Sequence, residues 1–196
     1  GVEPLAVHRG RAAELAARLA QNRVVTSDDP RRLEQLLFQQ LQIAPQFAGV
    51  YYGGENGDFV MVMRSPGGPG AFRTKIIEHV AGQRRVRLIW RNDDFSVVVQ
   101  REDPSDSFDP RLRPWYVKAR AERVTIWTDP YIFFSSRQPG ITLAAPVMDH
   151  DCGVRGVVGV DIEISMISEF LSRLNIGTHG KALIIHRNGD VIAHPN

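Results

Sequence analysis

The chain has 196 residues, 43% hydrophobic and 23% charged, with a formal net charge of +2. That composition suits a globular domain, and so weak a net charge gives no field that would argue for nucleic acid as a partner. No apolar run approaches the roughly 20 residues that cross a bilayer, and the single cysteine, Cys152, can form neither an internal disulfide nor a thiolate metal cluster.

Two helices come first. Residues 11–23 are dense in alanine and leucine, with Leu15, Ala16, Leu19 and Ala20 on one face. A second helix is capped by Asp28 or Asp29, takes Pro30 at its first position, carries a stripe of Leu33, Leu36, Leu37 and Leu41, and stops before Pro45. Both stripes read as core or dimer-forming faces. The periodicity then changes. Residues 47–52 and 59–63 are β-type runs around Gly53-Gly54-Glu55-Asn56-Gly57-Asp58, a hairpin signal. Residues 65–70 form a Pro/Gly loop, and Phe72–Val80 suits a strand or a helix. Residues 86–90 and 95–100 flank Arg91-Asn92-Asp93-Asp94, a second hairpin signal. Arg84, Arg85 and Arg87 alternate with Val86 and Leu88, as on a solvated strand face.

After a polar stretch at 102–110 comes Arg113-Pro114-Trp115-Tyr116, continuing to Thr128-Asp129-Pro130-Tyr131. Proline suits a first helical turn, so a short helix is predicted over 114–123 with Arg113 just outside it. Such a cluster can grip a small anion or zwitterion, the guanidinium taking a carboxylate and the aromatic faces the body or an ammonium. The plainer alternative makes Trp115 and Tyr116 core residues and pairs Arg113 with a surface acid. Strands follow at 140–148 and 154–164, joined by a turn at 149–153. The second carries Gly156 and Gly159 in its interior, a sign of a bulge or of close approach by a backbone or ligand. Ser165 is expected to cap a helix over 165–174 with Ile167, Phe170, Leu171 and Leu174 on one face. Residues 177–180 break the chain, and 181–185 with 190–193 make a last hairpin around Asn188-Gly189. Helices, then hairpin-linked strands, predict an α+β domain with an antiparallel sheet.

Catalytic and metal signals are weak. The six histidines, His8, His79, His150, His179, His186 and His194, show no His-Glu-x-x-His spacing. No serine stands in a Gly-x-Ser-x-Gly elbow, and neither Gly53-Gly54 nor Gly67-Gly68-Pro69-Gly70 is followed by the Lys-Ser/Thr of a phosphate loop. No catalytic residue, metal or cofactor is expected in this chain.

A series of motifs resembles double Cache (dCache) sensor domains. These are Asp109-Pro110-Arg111-Leu112-Arg113-Pro114-Trp115-Tyr116, Trp127-Thr128-Asp129-Pro130-Tyr131, Pro139-Gly140-Ile141-Thr142, Pro146-Val147, Gly156-Val157-Val158-Gly159-Val160-Asp161-Ile162 and Gly189-Asp190-Val191-Ile192-Ala193-His194-Pro195. The likeness covers most of the chain from about residue 47. Residues 49–64, with Phe72-Arg73-Thr74-Lys75, are most similar to sensor regions of bacterial adenylate/guanylate cyclases, and sensor histidine kinases are close in type. The resemblance implies a long N-terminal helical segment and a PAS-like (Cache) antiparallel sheet of about five strands with flanking helices. It divides the chain into N-terminal helices on the membrane-proximal stalk side (1–46), a membrane-distal module with the ligand pocket (47–176) and the start of a truncated membrane-proximal module (177–196). A chain running from Gly1 to Asn196, inside an apparent hairpin, is expected to be a fragment of a longer protein.

The implied function is sensing of a small-molecule ligand by the periplasmic or extracellular part of an inner-membrane protein. The full-length protein would be membrane-anchored, a homodimer is one assembly, and the cytoplasmic output would be a cyclase, kinase or chemoreceptor module. The fragment itself would not be an enzyme. Carried over residue by residue, Arg113 and Trp115 match positions that hold a ligand carboxylate, Tyr116 and Asp161 positions near the ligand amine, and Tyr131 a further pocket aromatic. Phe108 stands where amino-acid binders place a tyrosine, and Phe133 where they often place a second acid. A small organic acid or a more apolar ligand is therefore expected at least as strongly as an α-amino acid. The alternative is a structural or dimerisation module with a vestigial pocket, paired through the N-terminal stripes. A closed pocket packed by Phe108, Phe133 and Trp115 would favour that alternative, and an open one with Arg113 and Asp161 facing inward would favour sensing.

Overall fold

Asp29 supplies the N-cap of α2 (Pro30–Gln42): its Oδ1 accepts from the backbone N–H groups of Arg31 (3.0 Å) and Arg32 (3.3 Å), and Pro30 takes the first turn. Leu33, Leu37, Phe38 and Leu41 are buried, while Leu36 sits at the margin of the stripe. The preceding helix, α1 (Glu3–Ala20), begins before residue 11 and ends before residue 23, so alanine and leucine density misplaced both its ends. The computed structural model describes residues 3–22, 25, 29–173, 184–185 and 191–193. None of the helices among them is long and apolar enough to cross a membrane.

Nine strands form one antiparallel sheet: β1 (Gly49–Gly54), β2 (Phe59–Arg64), β3 (Phe72–Val80), β4 (Gln83–Arg91), β5 (Val97–Glu102), β6 (Ile126–Trp127), β7 (Tyr131–Ile132), β8 (Pro139–Met148) and β9 (Val154–Glu163). Their order is β5-β4-β3-β2-β1-β9-β8-β6, with β7 also pairing β8. The expectation of about five strands is an undercount. The run Phe72–Val80 resolves as a strand because β2 and β4 pair along both its edges. β6 and β7 have two residues each, too few for alternation to show.

Between β5 and β6 lie a 3-10 turn (Pro110–Leu112) and the helix α3 (Pro114–Glu122). α4 (Ile164–Arg173) follows β9 directly, so Ser165 lies inside the helix rather than capping it. β10 (Ile184–Ile185) and β11 (Val191–Ala193) form a separate antiparallel pair. Leu174, the break at 177–180, the Asn188-Gly189 turn and His179, His186 and His194 lie outside the described residues.

Alternation divides each strand between two faces. Val50, Val60, Val62, Ile76, Val158 and Val160 share a buried cluster with Leu15, Leu19, Leu37 and Leu41 of α1 and α2. Arg64 seats the end of α2 there, donating to the carbonyls of Leu41 (2.7 Å), Ala44 (3.1 Å) and Phe47 (3.0 Å) and so satisfying groups a helix end leaves free. Buried Glu34 of α2 takes a two-pronged pair from Arg91, Nε to Oε1 at 2.7 Å and Nη2 to Oε2 at 3.0 Å. Thr74, fully buried in register with Val62 and Ile89 of this same cluster, has no hydrogen-bond partner for its Oγ1. Tyr51, Phe59, Met61, Met63 and Val157 look the other way, into a second cluster with Phe108, Trp115, Tyr116 and Ala119.

Candidate functional site

The sheet register builds the floor of the site. Thr142 stands opposite Asp161, Asp161 opposite Gly49, Gly49 opposite Met63 and Met63 opposite Arg73. The next row on the same face runs Ala144, Gly159, Tyr51, Met61, Lys75. Glycine makes the space. A Cβ on Gly159 would meet the Tyr51 ring at 2.1 Å, so the absence of a side chain lets that ring lie across β9. A Cβ on Gly140 would likewise meet the Phe133 ring at 2.1 Å. Gly156, also marked in the sequence, points to the opposite face, close under the Gly53 carbonyl and Tyr52. The interior glycines therefore mark close approach, by side chains and, at Gly156, by a carbonyl.

A hydrogen-bonded group crosses this floor. Tyr51 OH reaches Asp161 Oδ1 at 2.6 Å, Thr142 Oγ1 reaches the same oxygen at 2.6 Å, and Tyr131 OH meets Thr142 Oγ1 at 2.7 Å. Each hydroxyl has one proton. With Asp161 ionised, Tyr51 and Thr142 donate to Oδ1 and Tyr131 donates to Thr142. The Thr142 N–H donates to Thr128 Oγ1 at 2.9 Å. Asp161 Oδ2 accepts no hydrogen bond among the described residues. Burial pushes the Asp161 carboxyl up to about 7 against the pull of the two hydroxyl donors, with Glu163 adding to the rise and Arg113 opposing it. Burial, and then the nearby Asp161 charge, raise the phenols of Tyr51 and Tyr131 above their ordinary range.

The cationic side is set by local chain chemistry. Asp109 caps the 3-10 turn, accepting from Arg111 N at 2.9 Å. Arg113 is the N-cap residue of α3, Pro114 follows it, and its side chain makes no cap hydrogen bond. Its guanidinium carbon lies 6.0 Å from the Phe108 ring centre and 5.7 Å from that of Phe134. Among the described residues it has no hydrogen-bond or ion-pair partner, unlike the surface pairing the plainer alternative assumed. Phe108 is held by a buried brace: Asp106 accepts from Phe108 N (2.9 Å) and from Lys75 Nζ (2.6 Å), and Arg84 donates to the carbonyls of Asp106 (2.6 Å) and Phe108 (2.7 Å).

Arg113, Trp115, Tyr131, Asp161, Phe108 and Phe133 all line one cavity of about 30 Å³. That is room for about one water molecule. Both expected features thus coexist, a tight aromatic wall and an inward-facing guanidinium and carboxyl. Tyr116 does not line this cavity. Its OH donates to Glu55 Oε1 at 2.9 Å, beside Arg120 Nε at 2.5 Å from the same oxygen. Neighbouring helical positions point about 100° apart, so with Trp115 on the cavity Tyr116 turns away. Sequence reasoning missed Tyr51, Thr142, Phe134 and the Met61–Met63 wall. The Ile141-Thr142 step was visible only as part of a motif, and nothing local shows that β1 pairs with β9. Among the described residues no cluster of His, Cys, Asp and Glu could hold a metal ion.

Residues 68–169, just over half of the chain, match the family described as methyl-accepting chemotaxis protein-like, first PDC sensor domain. Methyl-accepting chemotaxis protein PscA of Pseudomonas syringae pv. tomato is 38% identical over 93 residues, which is 47% of this chain and 14% of that protein. Adenylate cyclase 1 of Rhizobium meliloti is 24% identical over 162 residues, 77% of this chain and 24% of that protein. The ligand-binding domain of the Pseudomonas fluorescens chemoreceptor CtaA, solved in complex with L-serine, superposes with a TM-score of 0.64 at 24% identity, covering 97% of this chain and 65% of that one. This last likeness is one of fold. The chain spans no more than 24% of the length of either curated relative.

Proposed function

The chain belongs to the family of methyl-accepting chemotaxis protein-like first PDC sensor domains, and from that premise we propose that it is the extracytoplasmic sensing part of a membrane-anchored receptor. Its ligand is a small molecule with a carboxylate, with or without an amine. One observation carries the proposal: a guanidinium without a polar partner and a carboxyl with an unclaimed oxygen face one cavity, at Arg113 and Asp161. The ionised carboxyl of buried Asp161 costs stability unless something answers it, and the half-buried Arg113 has only the Phe108 and Phe134 rings against it. A carboxylate on Arg113 and an ammonium on Asp161 would answer both. Trp115 borders the same space and its indole N–H donates to none of the described residues, so it can share the carboxylate with Arg113. Phe108 offers a ring but no hydroxyl there, which leaves more of the work to Arg113. In this reading Tyr116 braces α3 through Glu55 and touches no ligand.

About 30 Å³ is too small for such a guest, so the wall must move. The segment carrying Phe133 and Phe134 is closed by Phe133 N to Gln138 O (2.9 Å) and tied to β3 by Arg73 Nη2 to Ser135 O (2.8 Å). We assign it the opening motion, the ligand favouring the expanded state by its differential affinity. The family and PscA favour a chemotaxis output. A cyclase output is the second reading, supported by Adenylate cyclase 1. The CtaA complex supports an amino acid within the ligand class.

Thermal unfolding with L-serine, L-alanine, propionate and propylamine tests the proposal. A ligand at a hundred times its Kd adds about 2.7 kcal/mol of stability. Stabilisation by carboxylates is expected. The small cavity also favours the vestigial-pocket reading, which would stand if none of the four compounds raised the melting temperature.

A further inference from the structure

Tyr51 was not among the residues that the motifs mark, yet it holds a fixed place in the cavity. Its ring is set by Trp115 (centres 4.8 Å apart, 58° between planes) and by Phe59 (5.7 Å), over the bare backbone of Gly159. Its hydroxyl is therefore delivered to Asp161, 110 residues away in sequence. The proton count then defines the chemistry of this corner. Tyr51 spends its proton on Asp161 Oδ1 and keeps its lone pairs. Tyr131 spends its proton on Thr142 and keeps its own. Asp161 Oδ2 is unclaimed among the described residues. Three acceptors gather on the Asp161 side of the cavity, which Glu163 also lines, while the unpartnered donors, Arg113 and the Trp115 indole N–H, border the same space.

We propose that Tyr51 contacts the ligand and completes a three-acceptor amine subsite with Asp161 and Tyr131, which selects primary ammonium groups over N-methylated ones. The proposal rests on the sensing role above and narrows it. A primary ammonium brings three N–H donors for three acceptors. Each methyl removes a donor and leaves an acceptor unsatisfied beside an apolar group, a loss larger than that of never having had the bond. The aromatic walls act in the opposite sense. Rings such as Trp115 and Phe133 welcome a quaternary ammonium through their faces. The Tyr51 hydroxyl decides between these tendencies. Without it the corner is an aromatic box with one carboxylate, which suits a methylated cation.

The test compares L-alanine, N,N,N-trimethyl-L-alanine and propionate by calorimetry at pH 8, in the wild-type chain and in Tyr51→Phe, which keeps the ring over Gly159. The wild type is expected to favour L-alanine over the trimethyl compound by about tenfold or more, the scale of a hydrogen bond to a charged group. Tyr51→Phe is expected to weaken L-alanine by about tenfold or more while leaving propionate and the trimethyl compound nearly unchanged, so that the preference collapses. A residue that only supported the fold would lower all three together. An unchanged ratio in Tyr51→Phe overturns the proposal. Should that variant fail to fold, the wild-type ratio decides, and equal binding of L-alanine and its trimethyl form overturns it. Binding of propionate without L-alanine would also overturn it while leaving carboxylate sensing intact. No binding of any probe would remove both.

Discussion

Asp161→Asn separates a carboxyl kept for a guest from one kept for the fold. Burial pushes the Asp161 carboxyl up to about 7, whereas a free aspartate titrates near about 3.9. Between these pH values the folded chain holds a proton that the unfolded chain has released. Stability therefore falls as pH rises from about 4 to about 7, and is level above that. At about 1.4 kcal/mol for each tenfold change in proton affinity, the ionised carboxyl costs on the order of 4 kcal/mol at pH 8. Asparagine can keep what the carboxyl gives. Its Oδ1 can still accept from Tyr51 and Thr142, and its amide NH₂ occupies the place of the unclaimed Oδ2. Allowing for weaker bonds to a neutral acceptor and for an amide NH₂ without a partner, a gain of about 1–2 kcal/mol at pH 8 remains. For a chain of this size that is roughly 2–8 °C in melting temperature. At pH 4 the two proteins should be nearly equal. The assay is thermal or urea unfolding of both at pH 4, 6 and 8. Parallel curves for wild type and Asp161→Asn across that range would refute the reasoning, since no proton would then be linked to folding at Asp161. The same variant should lose affinity only for ligands with an amine, and in the wild type such ligands should bind more tightly as pH rises from 5 to 8, because Asp161 must release its proton to accept the ammonium. Equal loss for plain acids would make Asp161 a brace.

Arg113→Ala is expected to abolish binding of carboxylate probes at a cost of about 2–5 kcal/mol, with the melting temperature barely moved because the guanidinium has no hydrogen-bond or ion-pair partner among the described residues; unchanged affinity in calorimetry would remove its role. Thr74→Val replaces a fully buried hydroxyl that has no partner by a methyl of similar shape, and should raise stability by about 1 kcal/mol in urea unfolding; a loss instead would mean that the hydroxyl is satisfied. Gly159→Ala drives a methyl into the Tyr51 ring at 2.1 Å. It should destabilise by about 1–3 kcal/mol and blunt amine binding, and an unaltered melting temperature would show that the ring has room to shift.

Where a feature is local, the sequence shows it plainly. Asp29-Pro30 sets the start of α2, Asn56-Gly57 turns β1 into β2 with Gly57 at φ +88°, and Pro114 opens α3 with Arg113 outside it. Where it depends on which distant strands meet, the sequence is silent. The Tyr51–Asp161 contact needs β1 to pair with β9, and one residue of slip would turn Tyr51 to the helical face. Tyr116 shows the same gap at smaller scale: a motif can mark two adjacent aromatics, but only the docking of α3 decides which faces the cavity. Phe72–Val80 lacks the clean alternation of a half-exposed strand because it is buried on both faces through much of its length. Ser165 looked like a cap, yet β9 runs straight into α4 at Ile164.

Adjacent positions of β1 and β2 answer to different masters. Val50, Val60 and Val62 lean on the helices, whereas Tyr51, Met61 and Met63 border the cavity. If the cavity is the sensing site, a walk of single replacements along these two strands would read out alternately, first in heat tolerance and then in the roster of compounds that bind. A lineage could revise its chemical tastes by altering every second codon while leaving the scaffold's durability to the codons between.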